Sequence, residues 1–430
     1  MTRQWRRASA LRIALVLLLF AAAAQAQTPK LEIPAGAQAS PSFDPVRATD
    51  AYLATISPDK KARSDAYFEG GYWLDLWSFL SVAIVYWLML STGLSASMRD
   101  RAERMTRRRP LQTTIYWIQF ILALTVVTFP LTVYRGYFRE HQYGLATQTF
   151  GPWLWDQVKG LGVALVFGGL IAVTLYGVLR RVGPSWWLWA TMVAVFFSIV
   201  AAVIGPVFIA PLFNTYTRLT DPALRDPILG IARANGIAAD DVYVVDESRQ
   251  TTRISANVSG LLGTERISLN DNLLRRASRE EIESVLGHEM GHYVLHHVFK
   301  NVLESGLVIA AGFALVAYGF ERTRLRRGDW RIASVGDVAG LPLIALLFSI
   351  YQFAVTPINN TIVRVNEYEA DIFGLNASRQ PDGFANAALK LGDYRKLDPG
   401  PIEEAIFFDH PSGRTRIVAA MRWKAENIKK

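Results

Sequence analysis

Histidine is scarce in this chain and unevenly placed. Four of its six histidines, His288, His292, His296 and His297, fall within ten residues. The first two belong to the run His288-Glu289-Met290-Gly291-His292. A spacing of four is about one helical turn, so both imidazoles project from one face, where two nitrogens can share a tetrahedral Zn²⁺. Glu289 follows the first histidine and stands beside the metal position. A carboxylate there can take a proton from water and pass it to a leaving amine. The chemistry indicated is metal-assisted hydrolysis of a peptide bond. His296 and His297 rotate off the zinc face and are expected to support the site rather than to ligate.

A catalytic zinc takes three protein ligands and keeps one position open. The downstream run Arg364-Val365-Asn366-Glu367-Tyr368-Glu369-Ala370-Asp371 supplies candidates. Helical spacing puts Glu367 and Asp371 on one face and turns Glu369 away from it. Glu367 can then ligate while Asp371 holds a ligand histidine in place. Spacing alone leaves Glu369 open as the ligand, and composition leaves Glu403 and Glu404 open. There is no cysteine, which removes disulfides, thiolate catalysis and cysteine metal sites.

These residues need a frame. Ser278 with Glu281 forms a capping box that starts a helix, and Ile282, Val285, Leu286 and Glu289 continue its periodicity. Thr252–Ser259 and Arg266–Leu269 alternate as a hairpin about Gly260–Gly263. An edge strand there can pair with an extended peptide and present its scissile carbonyl.

The rest of the chain is built for lipid. Of 430 residues 51% are hydrophobic and only 19% charged, against about a quarter charged in soluble domains. Uncharged stretches cover Leu76–Met98, Pro110–Tyr134, Leu161–Leu179, Pro184–Phe213, Ser305–Phe320 and Val338–Val363, most of them near the ~20 residues that cross a bilayer. Tryptophans cluster at their ends as an interfacial belt. Residues 1–26 read as a signal peptide or a first span: basic residues, an apolar run from Ile13, then Ala24-Gln25-Ala26. The expected order is an exposed segment at 27–70, a four-span bundle at 71–213, a catalytic part with the HExxH helix at 214–300, two further spans at 301–357, and the rest of the catalytic part at 358–430.

Lys and Arg number 46 against 37 Asp and Glu, a net charge of +9. Thirteen arginines lie in three short stretches, six at 99–109, two at 180–181 and five at 321–337. Nucleic acid is a poor partner for such loops, which flank spans and lack interleaved aromatics. If every stretch spans, all three fall on one side, which the positive-inside rule makes the cytoplasm. The catalytic part then faces the periplasm of a bacterial inner membrane.

Several runs together resemble the integral-membrane zinc endopeptidases of the type I CAAX prenyl protease family, as a bacterial-type member with a signal-like N-terminus. They are Tyr134 to Phe150, Ile209-Ala210-Pro211-Leu212-Phe213, Val242-Tyr243-Val244-Val245-Asp246, Ser255-Ala256-Asn257, Arg266 to Leu274, His288 to His292, Glu367 to Asp371, and His410-Pro411 with Arg416-Ile417. The resemblance implies Glu367 as third zinc ligand and Asp371 as its supporting acid. It implies that His410 stabilises an oxyanion, that Arg416 holds substrate or site, and that Asn257 lies on a strand beside the cleft. Val363 before Arg364 departs from the family's usual small residue. So does topology, since eukaryotic members place the catalytic domain in the cytosol.

The fold expected is mainly α: a polytopic membrane helix bundle carrying a small zincin-like α+β catalytic domain split around two C-terminal spans. The function expected is a zinc metalloendopeptidase acting on membrane-associated, exported or CAAX-like chains within the lipid bilayer's reach. The competing reading is a non-catalytic transporter or assembly factor with a structural zinc, which has no need of Glu289.

Overall fold

A computed structural model describes residues 29–260 and 265–428 of the chain. The signal-like residues 1–26 lie outside the described residues. The first helix is α1 (Pro45–Leu53), capped by Asp44, whose side chain accepts from Arg47 N. Next is α2 (Pro58–Ser91), opened by Ser57 and Pro58. At 1.5 Å per residue its 34 residues reach about 50 Å, more than a bilayer core requires. Its polar first third therefore stands clear of the apolar part. Most of the segment expected to be exposed, 27–70, is exposed or half-buried where it is described, but a few of its residues are docked. Ala37, Ala48 and Tyr52 are fully buried against Leu389, Ile417 and Met421 from the other end of the chain. Ala48 and Tyr52 are four apart, so α1 presents one small apolar face to that core.

The membrane part continues with α3 (Leu94–Met105), α4 (Arg109–Val133), α5 (Phe150–Leu179) and α6 (Trp186–Ile204). Wider turns at Tyr134–Phe138 and Gly205–Ile209 carry α4 on to Gln142 and α6 towards Leu212. Among the described residues five helices are long and apolar enough to cross a membrane: α2, α4 and α6 with their extensions, α5, and α10 (His297–Arg326). Outward side chains such as Val126 and Val166 stay about 70% exposed (71% and 69%), as lipid-facing positions do. The stretch expected as one last span, Val338–Val363, is instead two helices bent by 59°, α11 (Leu341–Ala354) and α12 (Thr356–Ser378). Pro357 starts α12, where its missing N–H and fixed φ break the preceding helix and begin the next.

The three arginine-rich stretches meet at one end of this bundle. Arg99 donates to Asp337 Oδ2 at 2.6 Å, Arg331 pairs with Asp100, and Arg180 donates to Gly336 O at 3.1 Å and Thr113 Oγ1 at 3.1 Å.

At the other end lies the small α+β part. Its strands are β1 (Tyr216–Arg218), β2 (Val242–Val245), β3 (Ala256–Ser259) and β4 (Arg266–Asn270), in the spatial order β1-β2-β4-β3. β2 and β4 are parallel, and the two outer pairs are antiparallel. The expected hairpin is present, with Asn257 opposite Ser268 and β3 at the sheet edge. Its turn residues 261–264 lie outside the described residues. Helices α7 (Pro222–Ala234), α8 (Asp271–Arg276) and α9 (Arg279–Val294) cover the sheet, burying Val242, Ile267 and Leu269 against Leu273, Ile282, Leu286 and Met290. The chain closes with α13 (Pro381–Leu391), α14 (Pro401–Phe407) and α15 (Gly413–Asn427).

Candidate active site

The site forms where α9 crosses α12. The capping box fixes the start of α9: Ser278 N donates to Glu281 Oε2 at 2.6 Å and Glu281 N to Ser278 Oγ at 3.3 Å. One turn apart on the facing surface, Gly287 and Gly291 let the two backbones touch. A Cβ on Gly287 would lie 3.0 Å from Gly374 O, and one on Gly291 would lie 3.1 Å from Ala370 Cα. Without these small residues the helices would stand further apart, and Glu367 would not reach the histidines.

It does reach them. His288 Nε2 and His292 Nε2 are 3.2 Å apart, and Glu367 places Oε2 3.3 Å from the first and Oε1 3.3 Å from the second. Bonds of about 2.0–2.1 Å to a tetrahedral Zn²⁺ put ligand atoms roughly 3.3–3.4 Å apart. His288, His292 and Glu367 thus form a group that could hold a metal ion, at the spacing zinc needs.

Each of the three is held from behind. Asp371, fully buried, brings Oδ1 to 2.8 Å from His288 Nδ1. Arg416 grips both carboxylates of α12, with Nε donating to Asp371 Oδ2 at 2.9 Å and Nη2 to Glu367 Oε2 at 3.2 Å. Burial alone would lower the His288 imidazole, but Asp371 and Glu367 push it up to about 9. His292 Nδ1 lies 2.9 Å from His297 Nδ1, and His297 Nε2 lies 3.1 Å from Glu369 Oε2, which Lys300 also holds. His297 is 1% exposed.

The alternatives to Glu367 are thereby placed elsewhere. Glu369 is engaged with His297 and Lys300. Glu403 pairs with Lys396 and accepts from Tyr72, while Glu404 accepts from Ser412 N. His296 is exposed.

Glu289 lines the cleft beside His288, and burial raises its carboxyl above the ordinary range while the two histidines oppose the rise. His410 enters from the loop before α15, its Nε2 3.2 Å from Glu367 Oε2 and its Nδ1 2.8 Å from Asp409 Oδ1. Burial lowers this imidazole, against the pull of Asp409. The cleft holds about 190 Å³ and is walled by Ser255 and Ala256 on the β3 side and by Tyr394 and Arg395 opposite. Asn257 is exposed on the edge strand next to Ala256 and is not part of the wall. Sequence reasoning missed Asp409, Tyr394 and Arg395. Asp409 had a usable signal, since it immediately precedes His410. Arg395 had none, because what marks it is a place in the cleft.

The chain is similar to known proteins along most of its length. A family profile described as CAAX prenyl protease N-terminal, five membrane helices, matches residues 46–215, and one described as Peptidase family M48 matches residues 218–424. An uncharacterised metalloprotease of Bacillus subtilis, YhfN, is 33% identical over 77% of this chain and 79% of its own length. CAAX prenyl protease 1 of Saccharomyces cerevisiae is 29% identical over 69% of each chain. The crystal structure of S. mikatae Ste24p superposes with a TM-score of 0.72 at 24% identity, covering 85% of this chain and 89% of that one, and shares its fold. The first profile covers four of the five spans, and the second covers the fifth, the strands from Val242 on and the His-His-Glu group: this chain belongs to the M48 metallopeptidases, in the membrane-embedded CAAX prenyl protease family.

Proposed function

We propose that this membrane metalloprotease is a zinc-dependent endopeptidase that cleaves membrane-associated, exported or CAAX-like proteins at a site facing the periplasm. One observation carries the reading: Glu289 lines the same cleft as His288 and Glu367, in a group spaced for zinc. A purely structural metal site has no use for that carboxylate, which disfavours the transporter or assembly-factor reading.

Zn²⁺ held by His288, His292 and Glu367 would supply Lewis acidity towards a carbonyl and lower the pKa of a water. Glu289 takes the proton of the attacking water and hands it to the departing amine. Its raised pKa brings it closer to the pH at which a carboxylate both accepts and releases a proton efficiently. His410, oriented by Asp409, directs Nε2 over the site and can donate to the oxygen that gains charge. Asp371 and Arg416 keep His288 and Glu367 in position. The open edge of β3, with Asn257 outermost, offers backbone groups to an extended substrate next to the wall formed by Ser255 and Ala256. The meeting of three basic stretches at the far end of the bundle supports the orientation, because that end is then the cytoplasmic one.

Glu289→Gln in membranes is expected to retain zinc and lose peptide cleavage, read with a membrane proteome compared with wild type. Intact cleavage would refute the mechanism. Reporter fusions after Arg108 and after Arg327 are expected to score cytoplasmic, and a periplasmic signal at both would invert the orientation.

A further inference from the structure

The basic end of the bundle is more than a topology signal. Between α3, the start of α4, the end of α5 and the loop 333–338 lies a cavity of about 990 Å³. Its cationic side chains are unevenly used. Arg99 is committed to Asp337 and Asp100. Arg180 spends its guanidinium on a carbonyl and a hydroxyl, Gly336 O and Thr113 Oγ1, and has no carboxylate partner among the described residues. Arg181 is exposed, and its side chain makes no hydrogen bond or ion pair among them. Arg109 approaches Glu103 only to 3.8 Å. Two carboxylates, Glu103 and Asp337, line the same space, and Asp337 is already paired.

One wall is apolar and continuous with the membrane face. Val166 and Leu170 on α5 are 69% and 54% exposed. Val173 and Gly177 follow at helical spacing and line the cavity. A Cβ on Gly177 would meet nothing within 4 Å, so the strip is an open groove leading up to the arginines. Gly336 closes the far side: a Cβ there would lie 3.0 Å from the Arg180 stem.

We infer that this cavity binds an anionic phospholipid, its phosphodiester headgroup between Arg109, Arg180 and Arg181 and an acyl chain along the α5 strip Val166–Gly177. Free phosphate shares the headgroup's charge but cannot use the strip. The combination of uncompensated arginines at the end of a span with a lipid-facing groove favours the lipid.

The test uses the full chain purified in detergent, with binding read by native mass spectrometry. The probes are dioleoyl-phosphatidylglycerol, dioleoyl-phosphatidylcholine, and inorganic phosphate alone. Wild type is expected to retain phosphatidylglycerol in preference to phosphatidylcholine. Each arginine near the headgroup is worth about fivefold, so Arg181→Gln should weaken that binding about fivefold and Arg180→Gln/Arg181→Gln roughly 25-fold. Gly177→Phe fills the groove without changing charge and should weaken it too. Should the double variant fail to fold, Arg181→Gln and Gly177→Phe decide the matter. Arg104→Gln/Arg107→Gln removes the same charge from the same end, outside the cavity, and should leave binding unchanged. Equal retention of both lipids by wild type would overturn the inference. So would a loss in Arg104→Gln/Arg107→Gln matching that in Arg180→Gln/Arg181→Gln, or displacement of the lipid by millimolar inorganic phosphate.

Discussion

Replacing Gly374 by Ala adds one methyl group at a residue that does not line the cleft, yet it should disable the metal group. The new Cβ would sit 2.7 Å from His288 N, 2.9 Å from His288 Cα and 3.1 Å from Gly287 C. All three are backbone atoms, so no side chain can swing aside. Ordinary contact begins at 3.4 Å, so α12 must retreat by 3.4 − 2.7, or 0.7 Å, at the level of the ligands. Metal–ligand distances tolerate about 0.2 Å. Glu367 rides on α12 and the two histidines on α9, so the retreat opens both 3.3 Å contacts at once. Overpacking of this kind costs about 1–3 kcal/mol, and if the loss falls on the metal group it weakens zinc binding about 5- to 150-fold. The assay is competition for zinc against a chromophoric chelator, run beside peptide cleavage. Gly287→Ala, whose Cβ would lie 3.0 Å from Gly374 O, should show a smaller loss. Gly162→Ala, with nothing within 4 Å, should show none. Wild-type zinc affinity and turnover in Gly374→Ala would refute the idea that helix contact sets the ligand geometry.

His297→Ala removes the one partner that His292 Nδ1 has among the described residues and should cost 10- to 100-fold in zinc affinity; His297→Gln should recover part of it, and unchanged affinity would exclude a positioning role. Arg416→Gln leaves Glu367 and Asp371 buried without their cation, a loss of about 3–5 kcal/mol that a thermal melt should register, and an unchanged melt would remove the clamp from the account. Lys424→Met strands Asp382, to which Lys424 Nζ donates at 2.7 Å while Tyr52 OH donates at 2.7 Å. It should destabilise by about 3–5 kcal/mol and make the α1 segment sensitive to limited proteolysis, with Lys424→Met/Asp382→Leu recovering much of the loss; resistance equal to wild type would contradict a buried anchor.

What could be read in advance was whatever repeats within a turn or two of chain. The pair His288 and His292, the box of Ser278 and Glu281, and the shared face of Glu367 and Asp371 all depend on helical periodicity. Periodicity could not choose between Glu367 and Glu369, because the choice depends on where His297 and Lys300 stand on another helix. The docking of α1 was hidden for the same reason at longer range. Tyr52 and Asp382 are 330 residues apart, and nothing in the polar, proline-bearing segment around Tyr52 announces a partner that distant. The bend at Val355 escaped because hydropathy reports composition and not direction: Val338–Val363 is apolar throughout whether it runs straight or turns.

The arginines carry the same lesson about context. At the catalytic end several cations are matched: Arg253 with Glu140, Arg276 with Asp393, Lys396 with Glu69 and Glu403, Arg414 with Asp398. At the opposite end Arg104, Arg107, Arg180 and Arg181 form no ion pair with a carboxylate among the described residues. A net charge of +9 spread evenly would say little about either end. Because the excess is concentrated where the spans terminate, it can act on the membrane potential and on anionic headgroups, which matched pairs at the site cannot do. At the catalytic end Arg416 is held instead against two buried carboxylates, Glu367 and Asp371, whose positions set the metal group.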